Sequence, residues 1–222
     1  EPPAVATLAQ YLSYVCFGGK AYVEGRSYAA GRLGEQAAAE TVSIVDDARA
    51  PDVVGWPFDY EGTPTTAVDL IRDGRLAGVV HDRASARAAG TTSTGHALPA
   101  PSTLGALPLT PRFVPGEGSI ENLVAGLERG LLVTRFHYTN VVNPKETSLT
   151  GMTRDGTFLV TDGRVTRAVR NLRFTQSALG ALAACEAVSG ETGWGNELFG
   201  GGGRQPALRL ASFAFTGTTS FG

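Results

Sequence analysis

The residues able to hold a metal or act as a strong nucleophile are few: His81, His96, His137, Cys16 and Cys185. Zinc motifs place imidazole or thiolate ligands close together, as in H-E-x-x-H or C-x-x-C. No two of these five share such a spacing. The plain readings fit better: His81 ends a strand, His96 sits in a polar loop, and His137 shares a strand face with Arg135 and Thr139. A nucleophilic serine on a strained elbow would read G-x-S-x-G, which is absent. Asp46-Asp47 and Asp59 with Glu61 are paired carboxylates of the kind glycosidases use, yet acids so placed are common at strand ends and in loops. The run Gly200 to Gly203 before Arg204 lacks the Lys-Ser/Thr of a phosphate loop and leads into a strand, so it reads as a flexible connector.

The elements that must position these residues belong to a chain of 222 residues with 19 basic and 21 acidic side chains, a net charge of -2. That balance gives no electrostatic reason to expect nucleic acid. At 42% hydrophobic and 18% charged the chain can bury a core, and its 29 Gly and 12 Pro point to many turns and to strands. No apolar run reaches the ~20 residues of a membrane span. Glu1 comes first and Met152 is the only methionine, so the chain reads as a fragment of a longer one. Two isolated cysteines in apparently helical apolar segments read as buried thiols, which favours a cytoplasmic protein. The excess of Arg over Lys20 and Lys145 reads as genomic bias.

Periodicity predicts helices over 3–16, 82–89, 120–129 and 177–188, with Asp82 and Ser119 as N-caps. Strands are expected over 41–47 and 68–72. The sequence from Arg75 to His81 should return after an Asp73-Gly74 turn. The aromatic stretch Arg49 to Pro64 should be an ordered loop packed on the core, Thr91 to Thr103 a mobile loop, and Leu107 to Val114, with its two prolines, an edge strand or an extended arm. Strands over 131–142, 149–154, 157–161 and 164–174 should be joined by turns at Asn143-Pro144, Asp155-Gly156 and Asp162-Gly163. A Gly-rich loop from Gly190 to Gly203 precedes a final strand through Leu208 to Phe215. The expected class is α+β, a mainly antiparallel, barrel-like meander with a few short helices, forming one domain over 1–222.

Several strings go further. Phe58-Asp59-Tyr60-Glu61-Gly62-Thr63-Pro64-Thr65, Asp73 to Arg83, and Ser93-Thr94-Gly95-His96-Ala97 resemble the TldD/PmbA family, once called modulators of DNA gyrase. Ser119 to Leu123, Gly130 to Thr134 and Thr150 to Gly163 are similar to its closing segments, in order along nearly the whole chain. The resemblance implies the C-terminal half of a member of a cytoplasmic metallopeptidase system acting on unstructured peptides. Catalytic members carry an H-E-x-x-x-H motif and a late cysteine ligand. Here the first position reads Pro2-Pro3-Ala4-Val5-Ala6-Thr7, and Gly193 to Gly203 holds no Cys. The chain therefore looks like the non-catalytic TldE/PmbA type, without cofactor of its own, zinc being expected only in a catalytic sister subunit. Its expected partners are that sister or a second copy, and an unfolded peptide. His137, Tyr138, Arg154 and Asp155 are the candidates for peptide contact, although Tyr138 also reads as core and Arg154-Asp155 as an ordinary turn pair. Two alternatives stay open: a zinc peptidase with ligands in an N-terminal half, and a β-rich interaction domain unrelated to proteolysis.

Overall fold

The computed structural model describes residues 1–196 and 202–218. In chain order the elements are α1 (Pro2–Val15), α2 (Gly19–Val23), β1 (Ile44–Asp46), β2 (Val53–Val54), β3 (Val68–Arg72), β4 (Arg75–Leu76), α3 (Arg83–Ala89), β5 (Pro111–Phe113) and α4 (Ile120–Ala125). They continue with β6 (Arg129–Asn143), β7 (Ser148–Thr161), β8 (Arg164–Ala168), β9 (Leu172–Ser177), α5 (Ala178–Ala183), β10 (Cys185–Asn196), β11 (Gly202–Leu210) and β12 (Phe215–Thr218). The strands form three open sheets, ordered β4-β3-β1-β5, β10-β11-β2 and β12-β9-β7-β6, with β8 also paired to β7. Every pair of named strands is antiparallel, and no sheet closes into a barrel among the described residues. The α+β class is as expected; the barrel-like closure is not, because the meander ends at an open β6 edge.

Helix α1 sits where the three sheets converge, in contact with β5, β6, β10 and β11. Its residues Ala4, Val5, Leu8, Ala9, Leu12 and Val15 are buried. They share one core cluster with Val42, Ile44, Leu70, Phe113, Phe136, Leu149, Phe174 and Leu182. Its buried hydroxyls stay satisfied by bonding back along the helix, Ser13 Oγ to Ala9 O at 3.0 Å and Thr7 Oγ1 to Pro3 O at 3.2 Å. No helix among the described residues is long and apolar enough to cross a membrane.

Two helices are shorter than their apolar pattern predicts, for one reason. Ser119 caps α4 with Asn122 in a reciprocal box, but α4 ends at Gly126. The carbonyls of Leu127 and Glu128 then accept from Gly163 N and Asp162 N in the β7–β8 turn. Helix α5 ends at Ala183, after which Cys185 pairs with Leu210, so Cys185 opens a strand instead of lying on a helix. In both places strand pairing takes over residues whose spacing also suits a helix.

Other expectations change too. Asp155-Gly156 is no hairpin turn: it lies inside the continuous strand β7, with Asp155 at φ 63°. Asp73-Gly74 and Asp162-Gly163 do turn the chain, and Asn143 leads into a 3-10 turn over Pro144–Glu146. The expected strand 164–174 splits into β8 and β9, while β4 ends at Leu76 and only Val80 bridges again, to Gly18. The final strand divides into β11 and β12. Trp56, Phe58 and Tyr60 are 54%, 58% and 61% exposed, so they do not pack on the core. The buried Asp59 carboxylate orders that loop instead, accepting from Glu61 N, Thr63 N and Ala97 N, each at 2.9 Å. The 91–103 loop is pinned at Thr94, whose Oγ1 accepts from His81 N at 2.8 Å.

The expected Gly-rich loop is largely a hairpin of β10 and β11, with residues 197–201 outside the described set. Its glycines serve close packing. A Cβ on Gly195 would stand 2.3 Å from Ala6 Cβ, and one on Gly193 would stand 3.1 Å from Pro2 Cγ. Since α1 is the element all three sheets share, Leu12→Ala, at a fully buried site, should lower unfolding free energy by about 2–5 kcal/mol in a urea titration. A loss within ~0.5 kcal/mol would contradict the central role given to α1.

Candidate functional site

Four residues expected to contact peptide lie side by side on the β6–β7 pair. His137 faces Met152 and Arg135 faces Arg154 across the ladder, so His137 and Arg154 share one face, and Tyr138 and Asp155 reach it through contacts with His137 and with Arg135 and Arg154. Arg154 Nη1 donates to His137 Nε2 at 2.5 Å, and because a guanidinium has no acceptor lone pair, Nε2 must be the acceptor. Asp155 stands between two cations, with Oδ2 2.7 Å from Arg135 Nε and Oδ1 3.5 Å from Arg154 Nε. The Arg135 contact lacks a hydrogen-bonding angle, so it is an ion pair only. At this exposure such pairs set side-chain direction more than stability, contributing ~0–1 kcal/mol.

Backbone irregularity builds this patch. β7 carries one more residue than β6 between the Val133–Thr157 and Arg135–Arg154 pairs, and the excess is absorbed at Asp155 and Gly156, both at positive φ. A second irregularity lies at Tyr138, φ 49°, whose carbonyl accepts from Asn140 Nδ2 at 3.0 Å. That conformation costs a bulky residue about 1–3 kcal/mol, and it leaves Tyr138 74% exposed. The core reading of Tyr138 and the turn reading of Arg154-Asp155 are both overturned. The ring of Tyr138 lies edge-on to His137, 4.4 Å between centroids.

Nothing among the described residues fits a metal. No three His, Cys, Asp or Glu side chains come together as a ligand set. The first turns of α1 present Pro2 and Ala6 to Gly193 and Gly195, an apolar contact without donor atoms. The three histidines are dispersed, with His81 beside Ser85, His96 beside Asp46 and His137 beside Arg154.

One cluster imitates a hydrolase triad. Ser85 Oγ lies 3.2 Å from His81 Nδ1 and donates to Asp82 Oδ1 at 2.5 Å. The single hydroxyl proton therefore points at the carboxylate, so His81 cannot receive it as a general base. Gly19 also covers the group, since a Cβ there would stand 2.6 Å from His81 Nδ1 and 2.8 Å from Ser85 Oγ. Burial lowers the His81 pKa from its ordinary value, with Asp82 opposing. The cluster caps α3: Asp82 accepts from Ser85 N at 2.7 Å.

Sequence reasoning missed a buried polar node. His96 Nε2 lies 3.0 Å from Asp46 Oδ1, and both side chains are almost fully buried. His96 Nδ1 lies 2.9 Å from both the carbonyl and the hydroxyl oxygen of Thr94. Asp46 also accepts from Thr110 N at 2.8 Å and from Thr110 Oγ1 at 3.1 Å. Strand β1, the 91–103 loop and the arm entering β5 are thus tied at one carboxylate. Only the acid closing an apolar strand, Ile44-Val45-Asp46, hinted at it. Asp46→Ala should cost about 3–5 kcal/mol, as removal of one partner of a buried pair does. The double variant with His96→Ala should cost clearly less than the sum of the two singles; strict additivity in the denaturation cycle would refute the coupling.

Both cysteines are buried and free, and burial is the main cause raising each thiol's pKa above its usual value. A raised thiol pKa leaves little thiolate at pH 7–8. Neither thiol should react with a disulfide reagent until the protein unfolds; a stoichiometric release in the native protein would contradict this.

The comparisons with known proteins agree on one family. The description "PmbA/TldA metallopeptidase C-terminal domain" matches residues 1–217. A metalloprotease TldD homolog of Haemophilus influenzae is 25% identical over 207 residues, 85% of this chain and 41% of that protein. A metalloprotease of Methanothermobacter thermautotrophicus is 23% identical over 173 residues, 76% of this chain and 37% of that protein. Among solved structures, TldE of Thermococcus kodakarensis superposes with a TM-score of 0.78 at 24% identity, covering 99% of this chain and 49% of that one. A Thermotoga maritima protein described as a candidate modulator of a DNA gyrase gives 0.82 at 21% identity, covering 97% and 48%. These two likenesses establish the fold alone. The chain spans less than half the length of each of these relatives.

Proposed function

Because the chain belongs to the PmbA/TldD metallopeptidase family, we propose that it is the half of a non-catalytic, TldE-like subunit that walls a peptide-accepting space while a sister chain supplies zinc. The observation carrying this reading is the contact of Pro2 and Ala6 with Gly193 and Gly195. The two segments that the resemblance assigns to zinc binding in catalytic members meet here through Pro2, Ala6, Gly193 and Gly195, whose side chains offer no metal donor, and this supports a non-catalytic reading. What remains is a binding role. Among the described residues the long strand β6 pairs only with β7, and an open strand edge takes an extended peptide through main-chain hydrogen bonds without reading its sequence. His137, Tyr138, Arg154 and Asp155, rising from the β6–β7 pair, are the side chains proposed to meet the peptide. The partner is a zinc-bearing sister or a second copy, and the setting is the cytoplasm, in keeping with two free cysteines.

Cleavage of an unfolded peptide is the test, measured for the full-length protein alone, for a sister carrying H-E-x-x-x-H alone, and for the mixture. Turnover should appear in the mixture and vanish with a chelator, while metal analysis finds zinc only in the sister. Cleavage by this protein alone, with zinc retained through dialysis, would overturn the proposal in favour of a peptidase in its own right. His137→Ala or Arg154→Ala should weaken turnover in the mixture without dissociating the pair.

A further inference from the structure

The segment Arg164-Val165-Thr166-Arg167-Ala168-Val169-Arg170-Asn171-Leu172-Arg173 carries four positive charges and no acid, in a chain whose net charge is -2. Arg164, Arg167, Arg170 and Arg173 are all exposed. None of them takes part in an ion pair among the described residues, although Arg135 and Arg154 nearby share Asp155. Its first half follows the outer margin of a sheet, because among the described residues β8, Arg164–Ala168, pairs with β7 alone, whereas Arg173 lies in β9 between β7 and β12.

Strand register turns this run into a geometric pattern. Arg164 stands opposite Thr161 and Arg167 opposite Leu159, two β7 residues apart, while an extra β8 residue between Val165 and Arg167 absorbs the difference. Both guanidinium groups are thereby brought to one face, which simple alternation of residues three apart would forbid. Their pitch is that of alternate residues on a strand, ~6.6–7 Å, and it equals the spacing of alternate side chains in an extended peptide. Further along, Arg173 lies in β9 opposite Met152, which itself faces His137, so it belongs to the candidate patch and not to the β8 edge.

We propose that the β8 edge, with Arg164 and Arg167 on the strand and Arg170 just beyond its end, is a docking strip for an extended acidic peptide segment bearing carboxylates at alternate positions. Main-chain pairing to the free edge of β8 supplies sequence-independent attachment. The guanidinium forks supply selection, since each can take a carboxylate through two parallel hydrogen bonds. Single-stranded nucleic acid fits less well: the run offers no aromatic ring for base stacking, and the chain as a whole is acidic. The inference refines the peptide-wall reading above by naming a substrate class. Its measurement uses the chain alone, so its failure would leave the turnover test of the pair untouched.

Fluorescence anisotropy of the purified protein with a labelled peptide of alternating Glu and Thr decides it, beside a matched Lys-Thr peptide and an oligothymidylate of equal charge. The Glu peptide should bind, and should weaken steadily as salt rises from about 50 to 300 mM. The double variant Arg164→Gln/Arg167→Gln should bind it about five- to tenfold more weakly with an unchanged melting temperature, as loss of two exposed charge pairs implies. Arg87→Gln, on α3, should change nothing. Equal binding of the Glu and Lys peptides, or indifference to Arg164→Gln/Arg167→Gln, would show that the arginines only guard the edge against aggregation. Tighter binding of the oligonucleotide would likewise overturn the proposal.

Discussion

Burial of α1 on several sides is the constraint on which the rest of the structure depends. A helix apolar round most of its circumference has no stable place at a surface, so it collects three sheets around itself. The β4-β3-β1-β5 sheet could not stand alone: β1, β4 and β5 are each two or three residues long. Their register is held by the core cluster they share with α1 and by side-chain ties such as the Asp46–His96–Thr110 node. Charge and hydrogen bonding thus work at the margin of a core whose shape the helix decides.

The same helix explains why the late glycines behave unlike loop glycines. At Gly193 and Gly195 the missing side chain lets the β10 backbone approach Pro2 and Ala6. A metal centre would need the opposite arrangement, with long polar side chains converging across a gap. Close packing without donor atoms and metal binding cannot occupy one contact. The sheet edges then become the surfaces with something to offer.

On the β6–β7 pair, two bulges convert ordinary strands into a presenting surface. Regular pleating would alternate His137, Tyr138 and Thr139 across the sheet; the positive φ of Tyr138 breaks that alternation and turns the ring outward beside the imidazole. The bulge at Asp155 places its carboxylate between Arg135 and Arg154. Local strain is tolerated because the core face beneath is firmly packed, with Phe136 stacked on Phe213 at 5.4 Å and tilted against Phe174 at 4.6 Å between centroids.

Composition, turn chemistry and residue spacing determined the α+β class, the span of α1, the caps of α3 and α4, and the turns at Asp73-Gly74 and Asp162-Gly163, because each depends on neighbours in sequence. The missing zinc motif was equally legible, since it is a matter of residue type. Tertiary structure alone decided where α4 and α5 stop, for their last residues suit helix and strand alike and only a partner strand chooses. It alone made Asp155-Gly156 a bulge, because the same backbone angles serve a turn when the next strand folds back and a bulge when β6 continues alongside. It alone brought Asp46, His96 and Thr110 together, 50 and 64 residues apart in sequence. A buried carboxylate is tolerable only where distant donors converge on it, and that convergence is a property of the packed chain.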